Sequence, residues 1–216
     1  MTAQLKIDFV SDVSCPWCAI GFGSLESALD RLKDEVRVDL HFQPFELNPQ
    51  MPSEGQEIIE HLAEKYGSTP DQIAQTQAAI RARGEGVGFK FGARHRIYNT
   101  FDAHRLLHWA ELEGRQVELK RALLQAYHGN GEDPSSHQVL VRLAVEAGLD
   151  AALAQEILSS GAYATEVRER EQYYLNHGIN SVPAIIINGK HLIQGGQPPE
   201  VFEQALRQIA GQGPEE

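Results

Sequence analysis

Two cysteines stand in Val13-Ser14-Cys15-Pro16-Trp17-Cys18, with two residues between them, and the rest of the chain holds no other. This spacing suits a redox-active dithiol, in which one thiolate attacks a substrate disulfide and the second sulfur resolves the mixed disulfide. The thiolate is the nucleophile, so the chemistry needs one sulfur that ionises easily. The front of a helix favours that, because its unpaired N–H groups and partial positive charge stabilise an anion. Cys15 comes first and is assigned the attack. Cys18, one turn further in, is assigned the resolving step. Pro16 fits the first helical position, where a missing N–H costs nothing. Trp17 offers a broad apolar surface beside the thiol. Asp12, three residues before Cys15, fits either a residue that caps the helix or influences thiol ionisation, or a plain loop aspartate.

The elements around the pair supply this geometry. Leu5 to Val10 reads as a strand running straight into the motif. A helix begins near Cys15, and Leu25, Leu29 and Leu32 share one of its faces. Val36, Val38, Leu40 and Phe42 alternate with Arg37, Asp39 and His41 in a half-buried strand, which Pro44, Pro49 and Pro52 bring to an end. From about 53 to 178 the pattern is helical. Ser53 with Gln56, and Thr69-Pro70 with Gln72, read as capping boxes. Asn99 and Thr100 are positioned to cap a helix carrying Phe101, Arg105, Leu106, Trp109 and Leu112, with Leu106 and Trp109 in the core. Further helices are expected at about 115–128, 136–147, 150–159 and 162–177, and Gly84 to Gly92 reads as a loop. Strand character returns at Val182 to Ile187. Asn188-Gly189 is a type I′ hairpin signal, and His191 to Gln194 is the returning strand. A last helix turns Val201, Phe202, Leu206 and Ile209 inward, before a short tail from Gly211 to Glu216.

The order β-α-β, helical block, β-β-α is an α/β thioredoxin fold with a large all-helical insertion. Residues 1–52 and 179–216 form the thioredoxin-like part and residues 53–178 the insertion. In such a sheet the strand before the cysteines lies beside the strand after Val182-Pro183, so Pro183 falls next to Cys15.

The chain also resembles, over nearly its full length, the DsbA-like oxidoreductases of the FrnE type. Their relatives are the 2-hydroxychromene-2-carboxylate isomerases and kappa-class glutathione transferases. The resemblance rests on Ser11-Asp12 with Cys15-Pro16-Trp17-Cys18, on Phe42-Gln43-Pro44-Phe45 with Leu47-Asn48-Pro49, on Asn99-Thr100 with Ala103-His104-Arg105, and on Val182-Pro183. It implies a cis peptide bond before Pro183, a Val182 backbone free to pair with an extended substrate, and Asn99, His104 and Arg105 facing the cleft. From the residues themselves, His104 reads equally as a satisfied core or surface histidine, and Arg105 as an ion-pair partner on its helix. The resemblance also makes glutathione a redox partner to consider.

Composition narrows the field. The chain has 216 residues, 42% of them hydrophobic, and a net charge of −11 from 19 basic and 30 acidic residues. That acidity argues against nucleic acid or anionic membrane as partner. No apolar stretch reaches the roughly 18 residues of a membrane span. The opening residues lack the apolar run of a signal peptide, so a cytoplasmic protein is expected, where a Cys-x-x-Cys serves catalysis or metal binding more often than stapling.

Three functions follow. The leading one is a thiol-disulfide oxidoreductase or isomerase acting on protein or small-molecule disulfides, with no bound cofactor and no metal. The second is a glutathione-dependent isomerase or transferase, against which both cysteines argue, since those relatives usually carry serine in place of the first. The third is a non-catalytic module held by zinc, with His104 and His108, four residues apart on one helix, completing the ligands.

Overall fold

The computed structural model describes residues 3–211; the first two residues and the tail from 212 onward lie outside the described residues. Strand β1 (Ala3–Ser11) is followed by helix α1 (Pro16–Arg31) and strand β2 (Val36–Pro44). The insertion then runs through β3 (Gln56–Glu57), α2 (Ile58–Tyr66), α3 (Pro70–Glu85), β4 (Arg96–Ile97), α4 (Phe101–Leu112) and α5 (Gln116–Leu124). It continues with a π-turn at Gln125–Gly129, α6 (His137–Glu146), α7 (Ala151–Ser159) and α8 (Ala164–Asn176). The chain closes with β5 (Ala184–Ile187), β6 (His191–Gln194) and α9 (Pro199–Gly211). This is a thioredoxin-like fold with helices inserted between β2 and β5.

The sheet has the order β2-β1-β5-β6. β1 runs parallel to β2 from Ala3 opposite Val36 to Ser11 opposite Pro44, and antiparallel to β5 from Ile7 opposite Ile187 to Val10 opposite Ala184. As a central strand β1 buries both faces. Leu5, Ile7 and Phe9 pack with α1 and α9, while Val10 joins Phe45, Tyr174, Ile179 and Ala184 on the other side. The rings of Phe9, Phe22 and Phe42 lock α1 to the sheet, with centroids 5.0 Å apart for Phe22–Phe42 and 5.4 Å for Phe9–Phe42. Such pairs add about 0.5–1.5 kcal/mol each beyond the area they bury.

β2 lies at the sheet's edge, where unpaired backbone is a liability. The insertion covers it. Gln116 at the start of α5 donates to Phe42 O (2.9 Å) and accepts from Phe42 N (2.8 Å), as a further strand would. The helical block has its own core, built by Leu106, Trp109, Leu119, Leu123, Leu140, Leu143 and Ile157. Val13, from the cysteine loop, belongs to that core and ties the motif to the insertion.

Several expected features take another form. Ser53 and Gln56 form no capping box. Gln56 and Glu57 instead pair with Ile97 and Arg96, and the Glu57 carboxylate caps α2 by accepting from Ile59 N and Glu60 N. Gly84 belongs to α3 rather than to a loop, and Phe91 packs so closely on it that a Cβ there would come within 2.5 Å of the ring. The helix expected over 115–128 breaks into α5 and the π-turn. Leu112 and Val201 are exposed, whereas Phe202 and Leu206 are fully buried as the last helix's pattern requires.

Candidate active site

Cys15 is the N-cap of α1, with extended backbone (φ −85°, ψ 115°), and Pro16 occupies the first turn. No side chain caps this end and no acidic residue sits in the first turn, so the positive end of the helix is left for the sulfur. Register brings the second half of the motif to it. Val10 faces Ala184, so the loop leaving β1 meets the residues entering β5. The Val182–Pro183 peptide bond is cis, and Val182 O lies 3.7 Å from Cys15 Sγ. Two glycines allow this close assembly. A Cβ on Gly21 would lie 3.2 Å from Pro183 Cγ, and one on Gly196 would lie 3.0 Å from Trp17 O.

Both cysteines are free thiols, and both are buried. Their acidities diverge. The thiol of Cys18 donates to Cys15 Sγ and is the largest cause holding the Cys15 pKa below that of an ordinary thiol. Burial and the Asp12 charge oppose this, while the N–H groups of Cys18 and Trp17 at the front of α1 reinforce it. The helix terminus is thus real but second to the neighbouring thiol. Cys18 moves the other way, pushed well up by burial first, then by its bond to Cys15 and by that sulfur's charge. One sulfur is poised to ionise and the other to keep its proton until a mixed disulfide forms.

Asp12 organises the loop and is fully enclosed. Its Oδ1 accepts from Ser14 N (3.2 Å) and Thr100 Oγ1 (2.7 Å), and its Oδ2 from Ser14 Oγ (2.7 Å) and Leu47 N (2.8 Å). His104 Nε2 stands 3.5 Å from Oδ1 and donates to Phe45 O at 3.1 Å. Burial pushes the Asp12 pKa upward, but His104, Leu47 and Thr100 outweigh it and hold the carboxyl far below the usual carboxylate range. Asp12 therefore joins the cysteine loop, the segment after β2 and the start of α4. His128, in the π-turn, adds another tie by bonding Val13 O at 2.8 Å.

Cys15 opens onto a cleft of about 470 Å³. One wall is Ser14, Pro16 and Trp17 with Asn180, Ser181 and Val182. The opposite wall comes from the insertion: Ile58, Leu62 and Tyr66 of α2, Ile73 and Ile80 of α3, and Ile97. Its lining is mainly apolar, with Arg94 and His61 among its polar members. From α3, Arg83 bonds Gly196 O at 2.7 Å and lies 6.0 Å from the Trp17 ring centroid, tying that wall to the active-site helix.

From residue 6 to residue 207 the sequence matches the family model for the DSBA-like thioredoxin domain. The chain belongs to that family. The DSBA-like match agrees with a similarity of 28% identity over 207 residues to the uncharacterized protein YwbO of Bacillus subtilis, covering 95% of this chain and 96% of that protein. The crystal structure of a probable DsbA oxidoreductase from Streptomyces coelicolor is similar at a TM-score of 0.91 and 32% identity, covering 98% of this chain and 92% of that one. A 2-hydroxychromene-2-carboxylate isomerase shares the fold, with a TM-score of 0.72 at 14% identity over 96% of this chain and 97% of that one.

The structure brings Asp12, Cys15, Pro16, Trp17, Cys18, Val182 and Pro183 of this DSBA-like domain into one place. It does not bring Asn99, His104 and Arg105 to the cleft. Asn99 Oδ1 accepts from Phe101 N at the start of α4. His104 is buried behind Asp12. Arg105 points the opposite way, donating to Ala162 O, Ser160 O, Ile157 O and Asp102. Four acceptors explain the position of a buried guanidinium without a substrate, so Arg105 fastens α4 to the end of α7. The zinc arrangement is not assembled either. His104 is engaged as described, His108 packs on Tyr163 with ring centroids 5.1 Å apart, and among the described residues no cluster of His, Cys, Asp and Glu could hold a metal. Nothing in the sequence singles out which residues of α2 and α3 build the wall, or Arg83 and His128. The apolar spacing of Ile58, Leu62, Ile73 and Ile80 signals a buried face, but nothing local says that the face meets a thiol.

Proposed function

We propose that the chain is a cytoplasmic thiol-disulfide oxidoreductase in which Cys15 attacks a substrate disulfide and Cys18 resolves the intermediate. The observation that carries this reading is the opposed acidity of two free thiols at the front of α1, beside a cis-proline loop. The Cys15 thiolate forms a mixed disulfide and expels one substrate thiolate. Cys18 then loses its proton, attacks Cys15 Sγ and releases the second. Two electrons pass from the protein dithiol to the substrate, and running the steps backward oxidises a substrate dithiol.

The shape and lining of the cleft favour an apolar group next to the reacting sulfur, on an exposed peptide segment or a small disulfide. An extended segment would lie along Val182. The partner that resets the dithiol is a thiol or disulfide small enough to reach Cys15, and glutathione is the candidate. No bound cofactor enters the scheme, since the sulfurs carry the electrons.

Trapping tests the assignment of roles. Cys18→Ser leaves the attacking sulfur but not the resolving one, so it accumulates covalent adducts with disulfide-containing proteins or with glutathione. Cys15→Ser accumulates none. Equal trapping by both variants would overturn the assignment, and no adduct in either would overturn the proposed chemistry.

A further inference from the structure

The Lys120 ammonium has no hydrogen-bond partner among the described residues and packs over the Phe42 ring. The residue lies on α5 and is 1% exposed. Its position is fixed from several sides. Gln116, one turn earlier on the same face, binds the backbone of Phe42, and the Lys120 Nζ stands 5.5 Å from the centroid of the Phe42 ring. That ring meets Phe22 at 5.0 Å, and Phe22 follows Cys18 by one turn on the inner face of α1. Leu124, one turn after Lys120, packs in the same core as Ala19 and Phe22. Lys120 is thus held against the core that packs on α1, and it is not among the residues lining the cleft.

A buried cation with no paired anion is costly, and an apolar side chain of the same length would serve the core better. An amine kept there against that cost, in place of an apolar side chain, points to a role in the chemistry. The ionisable groups that act on it are few. Burial, the largest influence, lowers the Lys120 pKa below that of an ordinary lysine, and Cys18 first, then Asp12 and Cys15, oppose it. His128 in the π-turn feels its charge as well, and burial already holds that ring neutral. The influence is mutual, since the Lys120 charge works against the burial that disfavours the Cys18 thiolate.

We propose that Lys120 is a positioning residue for the resolving step, an ammonium held near Cys18 that stabilises its thiolate as that sulfur attacks the mixed disulfide. The inference rests on the dithiol reading above. In the mixed disulfide, Cys15 is bonded to the substrate sulfur and no longer carries charge. Cys18–SH gives its proton to solvent, and the thiolate opposite Lys120 attacks Cys15 Sγ. The Cys15–substrate S–S bond breaks, the Cys15–Cys18 bond forms, and the substrate leaves as a thiolate that takes up a proton. The electron pair moves from Cys18 to the departing sulfur, so the step needs no other oxidant or reductant.

The test uses the full chain, reduced, with excess dipyridyl disulfide, whose thiopyridone product is followed by absorbance. The first equivalent reports attack by Cys15 and the second reports resolution by Cys18. Both are measured across pH for the wild type, Lys120→Met and Lys120→Gln. In both variants the second release has its pH midpoint moved upward. Each tenfold loss of Cys18 thiolate slows that release only about threefold at pH 7, because a more basic sulfur is also a better nucleophile. The first release stays within about twofold of wild type, since it is set by the Cys15 thiolate. Lys120→Met also unfolds at higher denaturant, which a structural lysine would not do. An unchanged pH midpoint for the second release in both variants overturns the proposal, as does equal slowing of both releases. Failure of the wild type to release a second equivalent would instead overturn the dithiol reading on which it rests.

Discussion

Replacing Asp12 with asparagine separates its two effects, which have opposite signs. The two carboxylate oxygens each accept one backbone N–H, Ser14 N on Oδ1 and Leu47 N on Oδ2. An asparagine amide has one acceptor and one donor end. Whichever way it turns, its NH₂ faces a buried N–H, leaving that group unsatisfied at about 1–3 kcal/mol. The bonds from Thr100, Ser14 Oγ and His104 also lose their charge assistance. Together this costs about 3–5 kcal/mol, the range for removing one partner of a buried ionic network. At a slope of about 2–3 kcal/mol per molar, the urea midpoint falls by about 1–2.5 M. The loss depends on pH with a definite sign. The folded Asp12 carboxyl ionises far below its ordinary value of 3.8, so its contribution is complete above that value and is lost as pH falls below it toward the folded value. The gap between wild type and variant is therefore widest near neutral pH and narrows in acid. Thiol reactivity moves the other way. The Asp12 charge opposes ionisation of Cys15, so Asp12→Asn forms its thiolate at lower pH than the wild type. Urea titrations at several pH values, paired with titration of thiolate absorbance, read both effects. A variant as stable as the wild type, or one whose Cys15 needs higher pH to ionise, refutes the reasoning.

Arg105→Met removes four bonds far from the cleft; unfolding measurements should show a loss of about 2–4 kcal/mol, with disulfide exchange by the folded fraction unchanged. Gly196→Ala presses a methyl group against the Trp17 carbonyl at 3.0 Å, so calorimetry should show a loss of about 1–2 kcal/mol, accompanied by slower exchange. Leu62→Ala trims the cleft wall supplied by α2, and steady-state kinetics with an aromatic disulfide should show KM raised about fivefold, with a smaller change for a short hydrophilic disulfide.

The parts of this site that the sequence disclosed are those written in local chemistry. Cys15 and Cys18 at a strand–helix junction declare a dithiol, and Val182-Pro183 before a run of isoleucines declares its companion loop. Asn188 and Gly189 both adopt positive φ, as a type I′ turn demands, and Thr69 with Gln72 forms the capping box its letters spell. What stayed hidden depends on contacts between distant segments. Gln56 has the right spacing from Ser53 to close a capping box, but pairing with β4 takes its backbone instead. Arg105 is surrounded by residues of a family signature, yet its direction is decided by the carbonyls ending α7 and the loop after it. Lys120 sits beside Arg121 in α5, and by sequence the two look equally solvated. Only the approach of α5 to Phe42 reveals that this one is interior.

The central claim is that the two sulfurs differ sharply in their readiness to ionise. Site-resolved alkylation of the fully reduced protein across pH, with each cysteine identified by peptide mass spectrometry, tests it most directly. The account predicts that Cys15 is modified with a midpoint below the ordinary thiol value of 9.0, and that Cys18 stays unmodified until well above it. Two cysteines reacting together at that ordinary value, or Cys18 reacting first, would contradict it.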